Sequence, residues 1–198
     1  MGKKITGNDI AELFSRVETL EKKLGVTHIP KGLKIGDEFE IAEVNWKILD
    51  ITDAGYMCIG DSIGDRIFDG NSNNWGKSSL RTYLNSEFYE KISKEIGKDN
   101  IVAFKRNLLS LDGHTEYGES DDFVSLLTVD EYRKYRKHIP NTYDWWWLIT
   151  PWSTSCNDCK KYQAVVSPSG FIYYGNCIHY YVVRPVCIFY SSIFESED

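Results

Sequence analysis

The chain has 198 residues, a formal net charge of −6, and 42% hydrophobic and 14% aromatic residues, with 6 Trp and 13 Tyr among them. That is room for one ordinary domain with a small appendage, and enough apolar material for a core. The negative charge argues against a nucleic-acid partner, which asks for a basic patch; no apolar run reaches the roughly 18 residues of a membrane span; and 5 Cys without a secretory signal at the start do not read as a disulfide framework.

Residues 8–24 predict a helix, with Asn8 or Asp9 as its cap. Ile10, Leu13, Val17, Leu20 and Leu24 fall at 3-4-3-4 spacing, the seam of a coiled coil, and Glu18 and Lys22 flank it. Gly25 ends it. Two heptads are marginal alone in water, so self-association through this helix is expected, as a dimer or a trimer. Thr27 to Lys34, with Pro30 and Gly32, reads as a linker. Strands are expected at 39–44, 46–51 and 56–60, with Asp53-Ala54-Gly55 as a turn. Ser78 or Ser79 caps a helix whose Leu80, Leu84, Phe88, Ile92 and Ile96 form one stripe, closed by Gly97. Thr128 caps a helix over 129–137, and its Arg133, Lys134, Arg136 and Lys137 read as a solvated face. The last third predicts strands at 145–149, 163–167, 171–174 and 183–189, with a turn over 167–170. Helices early and strands late indicate an α+β fold with a mostly antiparallel sheet.

Four stretches occur in an order met in a group of bacterial and phage domains. They are Asn74-Trp75-Gly76-Lys77-Ser78-Ser79-Leu80-Arg81-Thr82-Tyr83-Leu84-Asn85-Ser86-Glu87-Phe88, the run 123–132 from Phe123 to Tyr132, Trp146-Trp147-Leu148-Ile149-Thr150-Pro151, and Ala164-Val165-Val166 with Gly170 and Val183-Arg184-Pro185-Val186. Together they resemble variable proteins of diversity-generating retroelements, on the formylglycine-generating-enzyme-like branch of the C-type-lectin fold. The resemblance implies an α+β, C-type-lectin-like fold with short, mostly antiparallel strands and two or three helices. That domain would span 28–198, after an oligomerising helix in 1–27, with a variable region over about 149–181. Ile149 and Thr150 depart from the family's usual Arg and Ser.

In such proteins adenine-directed mutagenesis of asparagine codons never yields Lys, Glu, Gln, Met or Trp. Two loops obey that exclusion throughout, 153–159 and 173–181. Their mixture of Ser, Thr, Asn, Tyr, Cys and His also suits a binding surface. The candidate ligand-binding, diversified residues are therefore Ile149, Ser153, Thr154, Ser155, Cys156, Asn157, Asp158, Tyr173, Tyr174, Asn176, Cys177, His179, Tyr180 and Tyr181. Gly175, Ile178, Ala164, Gly170, Arg184 and Pro185 are read as frame. The core is expected at Trp46, Leu80, Leu84, Phe88, Leu126, Trp147, Val166 and Val186.

The expected partner is a protein or carbohydrate ligand, on a bacterial surface, with no nucleic acid and no membrane span. No catalytic motif, cofactor or metal is expected, and localisation stays open between the cytoplasm and a phage particle. Two rival readings remain. One is a phage tail or structural protein with an undiversified domain. The other is a zinc site: Cys156-x-x-Cys159 has ligand spacing, and Cys177 with His179 completes a four-ligand set. A paired-cysteine oxidase using Cys177 and Cys187, and a calcium site at Asp61, Asp65 and Asp69, lack matching motifs.

Overall fold

A computed structural model describes residues 6–24 and 29–194. Helix α1 (Gly7–Leu24) is capped by Thr6, two residues earlier than the first expected cap. Thr6 Oγ1 accepts from the Asp9 backbone N–H at 3.3 Å, while Asp9 Oδ2 accepts from the Thr6 N–H at 2.8 Å and from its hydroxyl at 2.6 Å. This is the reciprocal capping arrangement. Ile10 and Leu13 are exposed; the side chains of Val17, Glu18, Leu20, Lys22 and Leu24, and the stop at Gly25, lie outside the described residues. The expected linker is packed rather than free over 29–34. Gly32 N donates to Phe194 O at 3.1 Å, and Ile29 and Leu33 pack on the core.

The remainder is mixed α+β. Strands β1 (Glu38–Ile41), β2 (Val44–Thr52) and β3 (Gly55–Gly60) form an antiparallel meander. The β1–β2 turn falls at Ala42 and Glu43, inside the strand expected at 39–44, and both have positive φ, 56° and 58°. A two-residue hairpin turn needs that conformation and normally recruits Gly or Asn. Here the buried Ala42 is held from outside, its N–H donating to Glu95 Oε2 at 2.8 Å. After β4 (Asp65–Arg66) come α2 (Ser79–Tyr83), a π-helical turn (Leu84–Phe88) and α3 (Tyr89–Ile96). The shorter strands β5 (Ile101–Val102), β6 (Phe104–Asn107), β7 (Glu119–Asp122) and β8 (Val124–Ser125) precede α4 (Val129–Tyr135). The chain closes with β9 (Trp146–Pro151), β10 (Tyr162–Val166), β11 (Ile172–Asn176), β12 (Tyr181–Val182) and β13 (Val186–Phe189).

The π turn follows from the spacing of the stripe. Positions four apart advance about 40° around a regular helix, so a stripe over sixteen residues would wander to the far side. The wider π turn offsets part of the drift. Leu80, Leu84, Phe88 and Ile92 stay buried, and Ile96 packs against the same core. Within that turn Asn85 serves as a polar tie. Its Nδ2 donates to Val124 O at 2.8 Å and its Oδ1 accepts the Phe123 N–H at 2.9 Å. Asp122, buried, takes the Trp75 indole N–H and Arg81 Nε, each at 2.6 Å.

One sheet runs β1-β2-β3-β13-β5, with β8 also on β13. The other runs β11-β10-β9-β12-β4, antiparallel except for β12 beside β9. A two-stranded ladder pairs β6 with β7. Strand β9 is buried on both faces: Trp147 and Ile149 enter a core with Trp46, Trp75 and α2–α3, while Trp146 and Leu148 enter a second core with Tyr132 of α4. This is why it reads as an unbroken apolar run. Every expected core residue is buried. Arg184, also buried, donates to Gly60 O at 3.2 Å beneath the Trp146 ring.

Candidate functional site

Strand β11 is the outer edge of its sheet, and side chains on either face of it reach solvent. Successive strand residues point to opposite faces, so its two tyrosines belong to different aromatic groups. Tyr173 meets Trp145 at 5.4 Å between ring centroids, and Trp145 lies 6.4 Å from Tyr181. Tyr174 meets Trp152 at 5.1 Å and Tyr162 at 5.3 Å. Tyr173 and Tyr174 are about half exposed, and Tyr180, in the turn that follows, is 70% exposed. Ser155, Cys156, Asn157, Asp158 and His179 are exposed as well.

Several candidates sit inside the protein instead. Ile149 is fully buried in the first core, its N–H donating to Leu127 O at 2.8 Å, because β9 is the middle strand of the sheet. Ser153 and Thr154 are buried at the root of their loop; Ser153 Oγ donates to Asp112 Oδ2 at 2.6 Å, and Thr154 O accepts the N–H groups of Asn157 and Cys159. Cys177 is buried, its carbonyl takes the N–H groups of Phe68 and Asp69, and burial pushes its thiol up to about 12. Asn176 and Tyr181 are only partly exposed. The Tyr181 ring stands 4.7 Å from Trp147 and covers Gly175, where an added methyl group would overlap it. Tyr181 therefore belongs to the frame, as Gly175 does. Ile178 moves the opposite way: expected in the frame, it is 54% exposed.

The 153–162 loop is held by residues the sequence did not single out. Asn73 is fully buried, and its Nδ2 lies 2.7 Å from both Ser153 O and Tyr162 O and 3.3 Å from Cys159 O. Its own N–H donates to Lys160 O at 2.7 Å, and its Oδ1 accepts from Tyr117 Oη at 2.8 Å. One amide thus closes both ends of the loop. The polar turn 112–118 supports the loop from the other side, with Glu116 Oε1 accepting the Cys156 N–H at 2.8 Å. An asparagine in a run of Asn and Ser carries no periodic signal, so nothing local marks Asn73.

Among the described residues, no three of His, Cys, Asp and Glu come together in a group that could hold a metal ion. Cys156, Cys159, Cys177 and His179 accordingly form no such group, since Cys177 turns into the core while His179 is exposed. Cys58 and Cys187 face each other across the β3–β13 ladder, both buried, and burial raises both thiols well above their ordinary range. No described helix is long and apolar enough to cross a membrane. The chain matches no protein-family model, no curated protein and no solved structure.

Proposed function

We propose that the chain is a ligand-recognition protein with a C-type-lectin-like domain, whose exposed edge strand and adjoining loops are diversified by retroelement mutagenesis. The observation that carries the reading is the division of the two loops that obey the asparagine-codon exclusion. Ser155, Cys156, Asn157, Asp158, Tyr173, Tyr174, His179 and Tyr180 are exposed, on the loops and on both faces of the edge strand, while Trp147, Asn73 and Gly175 of the same region are buried. Tyrosine on a rigid support gives large contact area at small entropic cost. Ile178 joins this set; Ile149, Ser153, Thr154, Cys177 and Tyr181 leave it.

Sequencing the 3′ ends of sibling gene copies tests the reading. Substitutions should concentrate at the codons for 155–158, 173, 174, 176 and 178–180, beside a reverse transcriptase gene. Variation spread evenly into 146–150 and 163–166 would contradict it. Self-association through α1 belongs to the same proposal, supported by the exposed Ile10 and Leu13 on the a/d seam. Light scattering should find the full chain oligomeric and a chain starting at His28 monomeric. An oligomer unchanged by truncation would remove this part.

A further inference from the structure

Between the 108–118 turn and the 152–159 loop lies an open cavity of ≈ 340 Å³, lined by Leu111, Asp112, Trp152, Ser153, Asn157 and Cys159. The hydroxyl and amide donors in this lining are spent within it. Ser153 Oγ donates to Asp112 Oδ2 at 2.6 Å, and Asn157 Nδ2 lies 3.4 Å from the same oxygen and 3.2 Å from Ser153 Oγ. From behind, Ser110 Oγ donates to Asp112 Oδ1 at 2.5 Å. His114 Nε2 stands 3.8 Å from Asp112 Oδ2, beyond hydrogen-bond reach.

What is left for a guest is a set of acceptors. They are the remaining lone pairs of the Asp112 carboxylate, on a side chain 38% exposed, the Asn157 amide oxygen, and the electron-rich face of Trp152. The Trp152 ring is backed by Tyr174, which is backed in turn by Tyr162. The two turns around the cavity, 108–118 and 152–159, contain Asp112, Glu116 and Asp158 and no Lys or Arg. A matching guest brings donors and no acceptors. Ammonium and guanidinium groups are of that kind. A sugar hydroxyl brings lone pairs with every donor, and beyond the hydroxyl and amide already engaged this lining offers them only the Trp152 indole N–H and the weak Cys159 thiol.

We propose that this cavity is a subsite for a cationic side chain, lysine or arginine, of a partner protein. Its charged end would sit between Asp112 and the Trp152 ring, and its methylene stem against Leu111. The hydrogen bonds from Ser110 and then Ser153 hold the Asp112 carboxyl below its usual range, so it stays ionised at neutral pH. The subsite deepens the recognition reading and rests on it for the nature of the partner. It does not rest on it for cation binding, which can be measured with a simple probe.

The experiment titrates the full chain with n-butylammonium, following the Trp152 indole N–H signal by NMR, assigned with Trp152→Phe. Sodium butyrate and methyl glucoside serve as controls. The expected result is a saturable shift with butylammonium alone. The apparent Kd should rise about tenfold or more in Asp112→Asn, the loss expected for one charged hydrogen bond. Trp152→Leu, followed through the backbone amides of Leu111 and Ser153, should weaken binding about two- to tenfold, and keeps the test open if Asp112→Asn does not fold. An equal shift with methyl glucoside or butyrate, or butylammonium binding that survives both substitutions, overturns the subsite. Invariant sibling genes would sink diversification and leave the subsite standing; absence of cation binding would do the reverse.

Discussion

Strands β9 and β11 lie two places apart in the same sheet, and both are rich in aromatic residues. All of β9 is buried, whereas most of β11 reaches solvent. Composition does not separate them; position does. The middle strand has a core on each face, so its side chains hold the fold together. The edge strand has one neighbour, β10, and its tyrosines rest on the frame without completing it. Tyr180 and Tyr181 repeat the contrast one residue apart: the first is exposed, while the second lies over Gly175 against Trp147.

The comparison can be broken most severely at the frame's buried charge. Asp122→Ala leaves the Trp75 N–H without its acceptor and the Arg81 guanidinium without its carboxylate, and should cost about 3–5 kcal/mol. The check is the shift of the urea midpoint at constant slope. A cost near that of a surface substitution would mean the carboxylate is no keystone. Asn73→Ala is expected to be milder, about 1–3 kcal/mol for the carbonyls left unpaired. Its clearer signature is hydrogen exchange. The Asn157 and Cys159 amides should lose protection while those of β9 keep theirs. Uniform loss across both would place Asn73 in the global core rather than at the hinge of one loop.

A smaller, conditional effect concerns pH. Burial alone would raise the Glu131 carboxyl, but its paired bonds to Arg106, at 2.7 and 2.5 Å, and the Thr128 N–H outweigh burial and lower it. A lowered carboxyl contributes stability above its unfolded value, near 4.5 here, and loses it as pH falls through the folded value. Stability should therefore decline below about pH 4.5, and Glu131→Gln should make that decline shallower. An unchanged acid limb would assign it to other carboxylates.

Much of the frame was legible in the sequence because it repeats. The four-residue stripe of Leu80, Leu84, Phe88, Ile92 and Ile96 announces a helix, while the π turn within it was not foreseen. Thr128 announces a helix cap, and it forms, completed by Glu131 into a capping box. The hairpin at Ala42 and Glu43 was not legible, because its support, Glu95, comes from a distant helix. The candidate surface was half legible. Codon compatibility speaks of how a residue could have arisen, not of where its side chain points. It therefore admitted the buried Ile149, Ser153, Thr154 and Cys177 beside the exposed Tyr173 and Tyr174. Asn73 and Asp112 were missed as site residues because their roles depend on chain segments 40 to 90 residues away.

The division between frame and face is tested most directly by one urea-denaturation comparison. It sets Trp147→Ala beside the triple change of Tyr173, Tyr174 and Tyr180 to Ser. Trp147 is wholly buried, so its loss should cost about 3–5 kcal/mol. The three tyrosines are exposed to about half or more, so together they should cost about 1 kcal/mol. A triple variant that unfolds as readily as Trp147→Ala would show that the edge strand is part of the frame, and would contradict the account.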